Sequence, residues 1–220
     1  NRRGFMRELE RLIARVERNV RAEPVAPPAK AQWASLTREA DEYRRVALRG
    51  RFDFAHEALV RASTALGAGY WVLTPLRMPD GSWVFVNRGF VTPEMRQRVP
   101  HEIDAPTVVG LLRLTEPGGS LLQSNEPAQG RWYSRDVQAI AQAQGLQGDV
   151  APYFVDQQAI TQADRSAWPR PGLTVLQFPN NHLVYAVTWF AMAAGVAAAA
   201  GFVILGDRRR ATSTPPDRAA

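Results

Sequence analysis

His182, Tyr185 and Trp189 stand at i, i+3 and i+7, a spacing that lines one face of a helix beginning near Asn181. A neutral imidazole supplies one axial bond to iron, and flat aromatic rings beside it pack on a macrocycle. The trio is therefore a candidate site for a flat, apolar, metal-centred molecule such as haem. The same residues also suit a plainer role, a histidine that caps the helix at lipid-headgroup level with the two rings as interfacial anchors. Spacing alone leaves both readings open.

A second set puts arginine beside aromatic side chains. Asn87-Arg88-Gly89-Phe90 closes an expected hairpin, and Arg131-Trp132-Tyr133-Ser134-Arg135-Asp136 opens an expected helix. Arg88, Phe90, Trp132, Tyr133 and Arg135 suit a partner surface that takes carboxylates or makes cation–π contacts; they suit internal ion pairs holding strand to helix equally well. Catalytic machinery of a familiar kind is not found. His56, His101 and His182 are far apart and lack metal-ligand spacing. Asp53, His56 and Glu57 are neighbours, but no nucleophile stands in a recognisable elbow, so they read as a solvated strand-edge cluster. Gly67-Ala68-Gly69 and Pro117-Gly118-Gly119 read as turns. An enzyme is not expected.

Several elements must position these residues. Leu183 to Leu205 is uncharged, and its 23 residues are closed by Gly206-Asp207-Arg208-Arg209-Arg210. As a helix, that length reaches about 34 Å, against a hydrocarbon core about 30 Å thick. A transmembrane helix over 182–205 is the expectation, with membrane lipid as its surroundings. The arginines at its C-terminal end place the tail, 206–220, in the cytoplasm and the main domain outside it. Upstream, Leu9, Leu12, Ile13, Val16 and Val20 recur at helical spacing, giving an amphipathic helix within 1–22. Pro24, Pro27 and Pro28 break it, and 23–42 reads as a linker.

From 43 to 180 the texture is β. Strands are expected at Tyr43–Phe52, Glu57–Thr64, Tyr70–Met78, Ser82–Val91, Thr107–Thr115, Pro152–Asp156 and Leu173–Phe178, with a turn at Pro79-Asp80-Gly81. One helix, Ser134–Gln144, interrupts them, with Ser134 as its expected N-cap. The fold class expected is an α+β membrane protein: an antiparallel sheet or barrel-like extramembrane domain with flanking helices and a C-terminal transmembrane helix.

Composition narrows the classes. The chain of 220 residues contains no cysteine, so neither disulfides nor thiolate metal sites arise. Its net charge of +6 is carried almost wholly by arginine, Lys30 being the only lysine. Those arginines are spread among carboxylates, and part of the excess is Arg208–Arg210, so nucleic acid is not an expected partner. Arginine and alanine in such numbers fit a GC-rich bacterial genome and hence a bacterial plasma membrane. The chain opens on Asn1 with no apolar leading segment, so a first span is expected to be missing.

Taken together, several segments resemble the Surfeit locus protein 1 family. They are Tyr43-Arg44-Arg45-Val46, Gly69–Pro75, Val86–Val91, Leu114-Thr115-Glu116, Trp132–Asp136, Pro152–Asp156 and Phe178–Phe190. The resemblance implies an assembly factor for cytochrome c oxidase and related haem-copper oxidases, with two spans flanking an extracytoplasmic domain. It implies that haem a is bound and handed to the oxidase catalytic subunit, with a haem a synthase as a further partner. It offers His182 as the axial ligand of the haem iron, with Tyr185 and Trp189 against the ring. A cofactor-free scaffold for the nascent subunit is the rival.

Overall fold

Runs of β-branched and aromatic residues become strands because such side chains pack well on a pleated surface. In the computed structural model, which describes residues 2–101, 107–173, 189–196 and 200, seven strands form one sheet. They are β1 (Arg45–Arg49), β2 (Arg51–Phe52), β3 (Ala58–Thr64), β4 (Gly67–Arg77), β5 (Trp83–Val91), β6 (Thr107–Leu114) and β7 (Val150–Gln157). The chain divides into two units, Asn1–Val175 and Leu176–Ala220. The sheet belongs wholly to the first.

The strand order is β1-β6-β7-β5-β4-β2, with β3 paired to β4, and the whole curves as a half-barrel. The β4–β5 hairpin turns at Gly81, whose φ of +85° is open to glycine at little cost. Asp80 Oδ1 accepts from both the Ser82 amide (2.9 Å) and its hydroxyl (2.6 Å), which fixes that turn.

The sheet is mixed, which corrects the expected antiparallel one. β5 and β7 run parallel, while every other pair of strands is antiparallel. The reason is geometric. β7 enters between β5 and β6, which point in opposite directions, so it must be parallel to one of them. It is β5 that takes the parallel ladder, with Phe85 opposite Phe154 and Asn87 opposite Asp156. Consequently β5 is buried along its whole length on both faces, which explains its unbroken apolar texture.

Alternation sorts the core. Val84, Val86, Tyr153 and Val155 join Val46, Leu48, Val108 and Leu112 on one face, where Trp33 and Leu36 cover them. Phe85 and Phe154 point the other way, against Trp132, Val137 and Ile140. The latter three come from the approach to α3 (Val137–Ala143) and the helix itself, whose N-cap is Asp136 rather than Ser134, its side chain accepting from the Ala139 amide at 3.2 Å. The two outer strands are shielded by short parallel bridges, Val25 on β1 and Trp132 on β3.

The N-terminal amphipathic pattern forms α1 (Arg2–Arg21), where Val16 packs with Tyr43 and Leu111, and Leu12 and Val20 flank that contact. Residues 23–42 carry the Val25 bridge, a 3₁₀ turn at Lys30–Ser35 and the short α2 (Arg38–Asp41).

The expected C-terminal transmembrane helix is also corrected. Among the described residues no helix is long and apolar enough to cross a membrane. Of the expected span 182–205, residues 189–196 and 200 are described and are helical, and the remainder lies outside the described residues. The strand expected at Leu173–Phe178 lies, beyond Leu173, outside the described residues.

Candidate functional site

Charged side chains inside an apolar sheet are costly unless they meet partners, and here they meet one another. Asp156, at the end of β7, is 3% exposed. Its Oδ1 accepts from Asn87 Nδ2 at 2.9 Å and Arg135 Nη1 at 3.0 Å, and its Oδ2 accepts from Arg113 Nη1 at 3.3 Å. Arg135 reaches Glu116 through both Nη2 (2.8 Å) and Nε (3.2 Å), a forked geometry that suits guanidinium and carboxylate. Arg113 also reaches Glu42 Oε2 at 3.4 Å, and Glu42 Oε1 accepts from the Leu114 amide.

Aromatic faces complete the enclosure. The Arg135 guanidinium lies 4.6 Å from the Phe154 ring centre and that of Arg113 4.7 Å from Tyr43. Burial works against the charge of Glu116, but the hydrogen bond and charge of Arg135 outweigh it and hold the carboxyl below its ordinary range. Burial likewise works against Arg135, and Asp156 and Glu116 overcome it, so its proton is held more tightly than usual. Tyr43, by contrast, has its hydroxyl pushed up, chiefly by burial. This cluster ties β5, β6, β7 and the entry to α3 together. It presents no activated nucleophile, and among the described residues no buried side-chain nitrogen or oxygen lacks a hydrogen-bond partner, so its chemistry is that of a lock.

A second network lies across the sheet. Glu57 Oε2 accepts from Thr74 Oγ1 (2.6 Å) and Arg88 Nη1 (2.9 Å), and Glu57 Oε1 lies 3.2 Å from His101 Nε2. His101 stacks on Phe54, and Arg88 sits over the same ring. Arg88 also donates to the Pro100 carbonyl at 2.6 Å. His56 instead meets Asp53 at 2.7 Å, and Asp53 caps the turn Phe54–His56. Thus the Asp53, His56 and Glu57 neighbours separate: Glu57 points inward, and the other two close a turn.

These contacts account for the Val86–Val91 motif. Asn87 bonds Asp156 and also accepts the Gly89 amide at 3.1 Å. Gly89 takes φ +130°, and a Cβ there would sit 2.4 Å from the Arg170 backbone. That close approach lets Phe90 exchange two backbone hydrogen bonds with Arg170.

The candidate residues fall in different places. His182 and Tyr185 lie outside the described residues; Trp189 is helical and 66% exposed. Arg88, Phe90, Trp132 and Arg135 are buried, and Tyr133 is half-buried. The two arginines are not brought together: Arg88 serves Glu57, and Arg135 serves Asp156 and Glu116. Sequence reasoning missed Glu42, Arg113 and Asp156 as members of a site. The signal was available for Asp156, a carboxylate at the end of the apolar run Tyr153-Phe154-Val155, where an unpaired charge would be expensive.

The region that carries these residues is similar to known proteins. The sequence profile of the SURF1 family matches residues 6–194. Surfeit locus protein 1 of Homo sapiens is 34% identical, over 83% of this chain and 65% of the human protein. That of Rattus norvegicus is 32% identical over 84% and 63%, and a SURF1-like protein of Monosiga brevicollis is 33% identical over 95% and 83%. The chain thus spans a little under two thirds of the length of these mammalian relatives. A match across that much of the sequence, at that identity, means the chain belongs to the SURF1 family.

Proposed function

We propose that the chain is an assembly factor for cytochrome c oxidase that binds haem a and aids its insertion into the catalytic subunit, a role that is not enzymatic. The observation that supports this reading is family membership extending to residue 194, which takes in the whole segment from Phe178 to Phe190. In this reading His182 is the axial ligand, and Tyr185 and Trp189 pack on the macrocycle. Haem a, when bound, supplies an iron centre able to accept an imidazole nitrogen.

The donor set suits that chemistry. His56 and His101 each place a ring nitrogen against a carboxylate of the sheet domain, and it is the family resemblance that offers His182 to the iron. Among the described residues no cluster of histidine, aspartate and glutamate is arranged to hold a metal ion. The exposed indole of Trp189 has room for a flat partner. The sheet domain, rigid through its buried ion pairs, would meet the nascent oxidase subunit.

The test is co-expression of the full-length protein with a haem a biosynthetic system, followed by optical spectra of the purified parent and of His182→Ala. The parent is expected to carry haem a absorbance and the variant to lose it. A parent without that absorbance, or a variant with equal haem content, would leave a cofactor-free scaffold as the better account.

A further inference from the structure

A cavity of about 240 Å³ opens beside β3, away from the buried lock, and arginine dominates its rim. Arg61 comes from β3, Arg96 from the segment following the turn Pro93–Met95, and Arg131 from the excursion between β6 and α3. Tyr70, Trp132 and Gln144 form much of the remaining wall. Glu57 is the one acidic residue in the lining, and its carboxylate is already engaged by Arg88, Thr74 and His101.

The guanidinium groups of Arg61 and Arg96 lie against aromatic rings, and that of Arg131 is in an exposed ion pair. Arg96 lies 5.2 Å from the Tyr70 ring centre and Arg61 5.8 Å from that of Tyr133. A guanidinium over an aromatic ring keeps N–H groups to donate, and of those on Arg96 one Nη1 group is directed at the Tyr70 hydroxyl at 3.5 Å. Among the described residues neither Arg61 nor Arg96 has a carboxylate within ion-pair distance, whereas Arg131 meets Glu126 at 3.3 Å in an exposed, weakly held pair. Three segments far apart in sequence therefore converge on one cleft with an excess of positive charge.

We propose that this cleft is a docking site for an acidic peptide segment of a partner protein, two of whose carboxylates would lie between the three arginines. Planar forks match carboxylates in bidentate fashion. The cavity is smaller than the roughly 300–1,000 Å³ that enclose a drug-sized ligand, so it fits one or two side chains better than a whole cofactor. The excursion carrying Arg131 also displays Leu121 and Leu122, 100% and 91% exposed, on a turn closed by hydrogen bonds between Ser120 and Gln123. Large apolar side chains held out in this way mark a protein interface rather than a pocket for a free anion. The inference goes beyond haem binding and does not depend on it.

The experiment is calorimetric titration of the full-length chain, without haem or oxidase, using a blocked tetraglutamate peptide, citrate and inorganic phosphate as separate probes. The peptide is expected to bind, more weakly as salt rises, and Arg61→Ala and Arg96→Ala are each expected to weaken it about tenfold. Arg165→Ala, on an exposed helix elsewhere, is expected to leave it unchanged. Circular dichroism melting of each variant separates lost binding from lost folding, and Arg61→Lys, which keeps the charge but not the fork, is expected to weaken binding while melting like the parent. No peptide binding, binding insensitive to Arg61 and Arg96, or equal affinity for citrate or phosphate would overturn the assignment. Haem content is not read, so failure here leaves the haem proposal standing, and the reverse also holds.

Discussion

Glu116 shows how a single side chain can make the fold depend on pH. Its carboxyl is held below the ordinary value of 4.5, because the Arg135 hydrogen bonds and charge outweigh burial. A carboxyl depressed on folding contributes stability that is fully present above its unfolded value and is lost as pH falls through its folded one. Urea midpoints measured at about pH 7 and about pH 4 are therefore expected to fall more for the parent than for Glu116→Gln, which has no proton to take up. Equal falls would mean that Arg135 does not hold this charge. Asp156 cannot be replaced so mildly. Removing one member of a buried ion pair costs about 3–5 kcal/mol because the partners remain charged, and Asp156 answers both Arg113 and Arg135.

At the scale of elements, β5 carries the tightest constraint. Gly89 interrupts a strand buried along its length, at a φ that other L-residues rarely adopt, with the Arg170 backbone where a Cβ would be. Gly89→Ala combines strain with collision. It is expected to lower stability by more than about 1 kcal/mol, read from denaturant midpoints. Gly81→Ala at the open hairpin turn meets no neighbour and carries only the cost of its φ, so it is expected to be the milder of the two. The reverse order would show that the Phe90–Arg170 contact yields easily. The motif Val86–Val91 is thus a structural device: it seats Asn87 on Asp156, aims Arg88 at Glu57 and brings a distant segment onto the strand.

For the whole molecule, β7 decides whether the β1–β6 pair and the β2–β5 strands join into one sheet. It is the last strand in sequence among the described residues, yet it lies between β5 and β6, which have no ladder with each other. Every route to the native sheet must therefore wait for the chain beyond Asp149, and the long-range pairings that result favour slow folding. A chain ending at Asp149 would leave β5 and β6 unpaired along one side each and would strip Phe154 and Asp156 from the core. It is expected to lack cooperative thermal unfolding by circular dichroism, whereas loss of the residues after 206 is expected to leave that transition unchanged. A cooperative transition in the shorter chain would refute the central role given to β7.

Sequence alone determined the local elements. Alternation and β-branching made β3, β4, β5 and β6 legible, helical spacing marked α1 and α3, and the ordered motifs identified the family, because each depends on residues near one another along the chain. Nearness in space is a different matter. The parallel β5–β7 ladder, the meeting of Asp156 with Arg113 and Arg135, and the convergence of Arg61, Arg96 and Arg131 follow from which strand enters between which others. Arg135 looks the same in sequence whether it greets a partner or an internal carboxylate. Only tertiary structure, by burying it beside Asp156, decided that its charge is answered within the chain.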